Sequence, residues 1–312
     1  MKNSVFRAIA LLLLVSLPVL SGCSKREIFT RIMDHERSNA KLVVKTRNLG
    51  FGKIVYLENT SGKGGIPVVM LHGFGGDKDN WDRFSKKLTD HCRLIIPDLP
   101  GHGESVQDLS LNYGIQEQAK RLKEFLDSLG IKKAHLVGNS MGGAIAMRYA
   151  ALYPESVQSL ALIDTAGAVR APSEFDAIVK RTGRNPVLDI KSAAVFKNMM
   201  KYIYEKPPYL PGFVIDVLTE EKLKRRAIEQ KIYRDILADM DQTSIVANIH
   251  APTLIIWGAR DRIINVDSAE WLHQKIAGSK KEILEGVGHC PMIEKPEVTG
   301  ELYLRFLHEI GA

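Results

Sequence analysis

A serine between two glycines, Gly138-Asn139-Ser140-Met141-Gly142, is the segment best suited to covalent chemistry. A serine hydroxyl is a weak nucleophile and needs a base to take its proton. It also needs a sharp turn to lift it clear of its surroundings, and such a turn leaves little room for side chains on either flank. The apolar residues of Ala134 to Val137 read as the end of a buried strand, and Ala144-Ile145-Ala146-Met147 as a helix start. Strand, tight turn and helix would present the serine at a helix N-terminus. The base is expected at His289, in Gly286-Val287-Gly288-His289 near the C-terminus. Nine histidines are present, so this assignment rests on chain position and on glycines that let a loop reach over a sheet edge. The acid is expected at Asp261, after Trp257-Gly258. It would hold the imidazole in one tautomer and stabilise the imidazolium. Asp164, after the run Leu160–Ile163, is the alternative acid, and Asp267 is expected to cap the following helix. Ser140, Asp261 and His289 fall in the chain order Ser, acid, His.

Acyl transfer also needs two N–H donors aimed at the developing oxyanion. One is expected from Met141, the residue after the nucleophile. The other is expected from Phe74, in the glycine-rich His72-Gly73-Phe74-Gly75-Gly76 that follows an apolar run. His72 is expected to brace this loop rather than move protons. Pro97-Asp98-Leu99-Pro100-Gly101-His102-Gly103-Glu104-Ser105 reads as loop architecture beside the site, with no proton transfer by Asp98 or His102.

These residues need elements to position them. Buried strands are expected over Lys53–Glu58, Pro67–Leu71, Arg93–Ile96, Ala134–Val137, Leu160–Ile163, Thr253–Trp257 and Lys281–Leu284. Between them lie amphipathic stretches, as in Gln116–Leu129, where Ala119, Leu122, Phe125, Leu126 and Leu129 recur at helical spacing and Gly130 supplies the stop. This alternation predicts an α/β fold with a mostly parallel sheet covered on both faces. From about Gly167 to Ser244 the rhythm breaks into helical patterns, punctuated by Lys206-Pro207-Pro208-Tyr209-Leu210-Pro211-Gly212, and this reads as a helical cap inserted over the site. The expected division is a leader over 1–22, a lipidated tether and lead-in segment over 23–49, a core over 50–166 and 246–312, and a cap over 167–245.

The 312 residues are 45% hydrophobic and 25% charged, ordinary for a globular protein. Net charge is +7, falling to about +5 without Lys2 and Arg7 of the leader; the basic residues are scattered among acids, which excludes a nucleic-acid stripe. Lys2 and Arg7 precede the apolar run Ala8–Leu20, which is shorter than the roughly 20 residues needed to span a bilayer and fits a secretory signal. Leu20-Ser21-Gly22-Cys23 resembles a bacterial lipobox, which implies a lipid on Cys23 and export to the cell envelope. Ser24 rather than Asp after it implies the outer membrane in a Gram-negative host. Cys92 and Cys290 could pair in an exported protein, but two separate small thiols are expected.

Taken together, the elbow, the His72–Gly76 loop, Trp257-Gly258 with Asp261, and Gly288-His289 resemble the α/β-hydrolases over about residues 50–312. His72 to Asn80, Lys206 to Pro211, and Val287 to Glu294 resemble more closely the secreted lipases of Moraxella and Psychrobacter. The resemblance implies the α/β-hydrolase fold and hydrolysis of carboxylic esters, triacylglycerols included, with an ester or lipid substrate and no metal or organic cofactor. Two other functions compete. One is a C–C hydrolase of ring-fission products, which shares Gly-Asn-Ser-Met-Gly-Gly but usually has Ser-Gly-Pro in the oxyanion loop and Trp where Cys290 stands. The other is a catalytically silent envelope lipoprotein that binds a ligand.

Overall fold

The computed structural model describes residues 24–61 and 65–312. Cys23, the segment that resembles a lipobox and the expected leader lie outside the described residues. Eight strands form one sheet: β1 (Leu42–Leu49), β2 (Gly52–Asn59), β3 (Val68–Leu71), β4 (Leu94–Pro97), β5 (Ala134–Asn139), β6 (Val157–Ile163), β7 (Thr253–Gly258) and β8 (Lys280–Leu284). Their order is β1-β2-β4-β3-β5-β6-β7-β8. β2 is antiparallel to both neighbours, and every pair from β4 to β8 is parallel.

The central strands read as continuous apolar runs because both faces are covered. Val69, Leu71, Leu136, Leu160, Leu162, Ile255 and Trp257 pack on one side, with α3 (Ile115–Ser128), α4 (Met141–Leu152) and α9 (Asp267–Lys275). The alternate residues Val68, Met70, Val137, Ala161, Ile163, Leu254 and Ile256 pack on the other, against α2 (Asp82–Ser85), α10 (Pro291–Glu294) and α11 (Pro296–Glu309). α3 ends as expected: Gly130 takes φ +72° and the Ile131 N–H returns to the Leu126 carbonyl at 2.9 Å.

The lead-in segment is a helix and a strand. Ser24 and Glu27 form a reciprocal capping box that starts α1 (Lys25–Asn39). β1 then pairs with β2 along its whole length. As an edge strand it is almost wholly exposed, so it lacks the alternating pattern that marks a half-buried strand; backbone hydrogen bonds hold it instead. Asp267 is not a cap either. Asn265 Oδ1 accepts the Asp267 N–H at 3.0 Å, and Asp267 sits inside the first turn, where its charge complements the helix dipole.

Between β6 and β7 the chain is helical: α5 (Glu174–Thr182), α6 (Ala193–Ile203), α7 (Gly212–Lys224) and α8 (Arg226–Ala238). The Lys206–Pro211 segment forms a strap from α6 to α7. Among the described residues no helix is long and apolar enough to cross a membrane.

Candidate active site

Every residue singled out for chemistry lies beyond the C-terminal end of a parallel strand, where ligands bind in open α/β sheets. Ser140 joins β5 to α4 at φ +55°, ψ −119°, a conformation L-residues seldom adopt. The flanking glycines are sterically required. A Cβ on Gly142 would lie 2.2 Å from the Leu71 carbonyl oxygen, and one on Gly138 would lie 2.4 Å from that of Gly142. The obstacles are backbone atoms, which cannot swing aside. Ser140 itself is partly exposed while both its neighbours are buried.

His289 and Asp261 meet. Their Nδ1 and Oδ2 atoms are 2.8 Å apart, and both side chains are nearly inaccessible. Oδ1 of Asp261 accepts the N–H groups of Ile263 and Ile264 at 2.8 and 3.0 Å. The carboxylate is thereby fixed in its loop and accepts a hydrogen bond from Nδ1–H, which leaves Nε2 unprotonated. Asp164 also has φ > 0, at +45°, and its Oδ1 accepts the Gly258 N–H at 2.9 Å. Its Oδ2 is buried without a partner. Burial, and then the charge of Asp261, push its carboxyl well above the usual carboxylate range. Asp164 thus braces β7 through the Gly258 amide, while Asp261 faces the imidazole. Oxygens of the two acids and a nitrogen of His289 lie within 4.8 Å of one another, which is metal-like spacing. Within this group, Asp261 Oδ2 and His289 Nδ1 are already joined by a hydrogen bond.

The His72–Gly76 loop is held by hydrogen bonds of the His72 ring. The Leu99 N–H donates to Nε2 of His72 at 3.0 Å, so the His72 proton is on Nδ1 and donates to the Gly73 carbonyl at 2.8 Å. Burial lowers the His72 pKa and keeps the ring neutral. His72 braces the loop, as its position implied. Gly73 backs directly onto Ser140, since a Cβ there would lie 3.1 Å from Ser140 Cβ. Met141 opens α4, so its amide belongs to the first turn, whose N–H groups have no partner within the helix. Asp98 is fully buried and accepts the Lys78 N–H, Lys78 Nζ and the Glu104 N–H at 2.8, 3.0 and 2.8 Å. It shapes its loop, and burial drives the pKa of its neighbour His102 well below the ordinary value. Cys92 and Cys290 are both free thiols.

Sequence reasoning missed Asn139. Its buried Nδ2 donates to the carbonyls of Ile163 and His289 at 3.1 and 3.0 Å, tying the histidine loop to the elbow. The available signal was a polar side chain at the end of an otherwise apolar strand, next to the serine.

The sheet, the elbow and the loop order are those of one class, and the chain belongs to the α/β-hydrolase family. The family model for the alpha/beta hydrolase fold matches residues 66–190. Over 282 residues the chain is 38% identical to lipase 1 of Psychrobacter immobilis, covering 88% of this chain and 87% of that one. It is 37% identical to lipase 3 of Moraxella sp. (strain TA144), covering 88% of each. A solved structure described as a membrane phospholipase A, a bacterial virulence factor, superposes with a TM-score of 0.88 at 34% identity, covering 99% of both chains.

Proposed function

We propose that the protein hydrolyses carboxylic esters of lipids through an acyl-enzyme on Ser140. Ser140 Oγ attacks the ester carbonyl while His289 Nε2 takes its proton. Asp261 holds the imidazole and stabilises its protonated form. The Phe74 and Met141 amides receive the oxyanion, where a single donor contributes about 10²–10³ in rate. His289 then protonates the leaving alcohol, and water activated by the same nitrogen releases the acid. The observation behind this reading is the 2.8 Å His289–Asp261 hydrogen bond, held beside a strained serine turn. Similarity to two proteins named lipases supports the ester class.

Residues 167–245 act as a cap in this reading. Cys23 carries a lipid that keeps the enzyme in the cell envelope, at the outer membrane in a Gram-negative host. Several acyl chains make such attachment stable, at about 0.8 kcal/mol per buried CH₂.

The test is a series of p-nitrophenyl esters of increasing chain length beside triacylglycerol, monoacylglycerol and phospholipid. Ester turnover that Ser140→Ala abolishes, with fluorophosphonate labelling of the native enzyme alone, is the expected result. Turnover confined to a dienoic ring-fission product would overturn the ester reading. Failure of either substrate class to turn over, with no labelling, would leave the silent lipoprotein. Release of a Cys23→Ser variant from the membrane fraction tests the anchor.

A further inference from the structure

The strap between α6 and α7 is gripped by the same two loops that hold the acid and the base. On the base side, Glu294 Oε1 accepts the Gly288 N–H at 2.8 Å, while Oε2 accepts the N–H groups of Glu205 and Lys206, both at 3.0 Å. The His289 N–H itself donates to the Ile203 carbonyl at 2.8 Å. The contact is close enough that a Cβ on Gly288 would lie 2.7 Å from both the Glu205 nitrogen and the Ile203 oxygen. On the acid side, Arg262, next to Asp261, donates to the Lys201 carbonyl at 3.0 Å and pairs with the Glu205 carboxylate. The residues from Ile203 to Lys206, which lead from α6 into the strap, are thus part of the wall that fixes His289.

We infer that Glu294 is a positioning residue: its carboxylate registers the strap against the His289 loop, so that seating the cap and placing the base are one geometric event. This rests on the triad reading above. Only a carboxylate can do this. It offers an acceptor oxygen to each side, and both sides present N–H groups. A glutamine has one such oxygen, and its NH₂ would face an N–H donor on the other side. Burial pushes the Glu294 carboxyl up, and its three backbone donors oppose that shift. A misplacement of the order of 1 Å at a catalytic group can cost about 100-fold. The loss therefore appears in kcat, because the base is displaced while Ser140 and its neighbouring amides stay in place.

The experiment compares native enzyme, Glu294→Gln, Glu294→Ala and Arg262→Gln on a soluble butyrate ester, with thermal unfolding in parallel. Both Glu294 variants are expected to lose about 10- to 100-fold in kcat, and glutamine is expected to do no better than alanine. The rate of phosphonate labelling at Ser140 should fall by the same factor. A folded Glu294→Gln enzyme with native kcat would show that the side chain only fills space, and would overturn the inference. So would a loss confined to KM. If neither Glu294 variant folds, Arg262→Gln decides: reduced kcat supports the shared grip and native kcat overturns it. A native enzyme inactive on esters would instead refute the ester-hydrolase reading.

Discussion

Replacing Asp261 with asparagine tests the triad at a single atom. Oδ1 accepts two backbone N–H groups, from Ile263 and Ile264, and Oδ2 accepts Nδ1–H of His289 at 2.8 Å. Asparagine has one oxygen to share among these three donors. Turned to the backbone it keeps two hydrogen bonds of about 1 kcal/mol each; turned to His289 it keeps one and sets its NH₂ against two donors. The oxygen therefore stays on the backbone, and the NH₂ faces His289. The imidazole must then accept at Nδ1, which moves its proton to Nε2, the nitrogen that should receive the serine proton. The expected loss in kcat is about 10⁴-fold, or roughly 5.5 kcal/mol in the barrier. The fold keeps its backbone contacts, so thermal unfolding should barely move. The assay is butyrate-ester turnover at mildly alkaline pH, with Asp164→Asn and the double variant in parallel. Retention of more than about a tenth of native kcat by Asp261→Asn would refute the argument. If the remaining activity then vanished on adding Asp164→Asn, the acid would be Asp164.

Other consequences can be measured on stability. Ser140→Gly should abolish turnover yet stabilise the protein by about 1 kcal/mol, because glycine adopts φ +55° freely; a lowered unfolding temperature would contradict the strain argument. Gly142→Ala should prevent accumulation of folded protein, since its Cβ would sit 2.2 Å from the Leu71 oxygen; a soluble, active variant would show that the elbow can move. Asp82 has both carboxylate oxygens buried without partners, and burial with the charge of Asp79 pushes its pKa to about 8. The folded state then holds a proton that the unfolded chain has released. Stability should therefore fall as pH rises from about 4 to about 8, by up to about 1.4 kcal/mol per unit, and then level off. Asp82→Asn should flatten that decline in denaturant titrations, and an unchanged slope would exclude Asp82 as its source.

Much of the fold was legible because the central strands obey a local rule. Val68 to Leu71 and Leu254 to Trp257 are apolar without alternation, since each is covered on both faces. The helical break between β6 and β7 was equally visible. β1 was not, because an exposed edge strand is held by backbone bonds that leave no side-chain pattern. Asp267 misled for a related reason: an acid near a helix start can cap it or sit in its first turn, and the Asn265 side chain took the capping bond.

The sequence by itself determined the elbow, the glycines it needs, the loop after β3 and the order of Ser140, Asp261 and His289, because tight turns and strand ends are written in neighbouring residues. Only the tertiary structure decided how these parts meet. Asp164 and Asp261 both follow apolar strands, yet one braces the Gly258 amide and the other faces His289. Asn139 holds the His289 carbonyl from 150 residues away, and Glu294 holds the strap at Lys206 from 88. Contacts at such separations follow from the order in which β5, β6, β7 and β8 lie side by side, and no local pattern encodes that order.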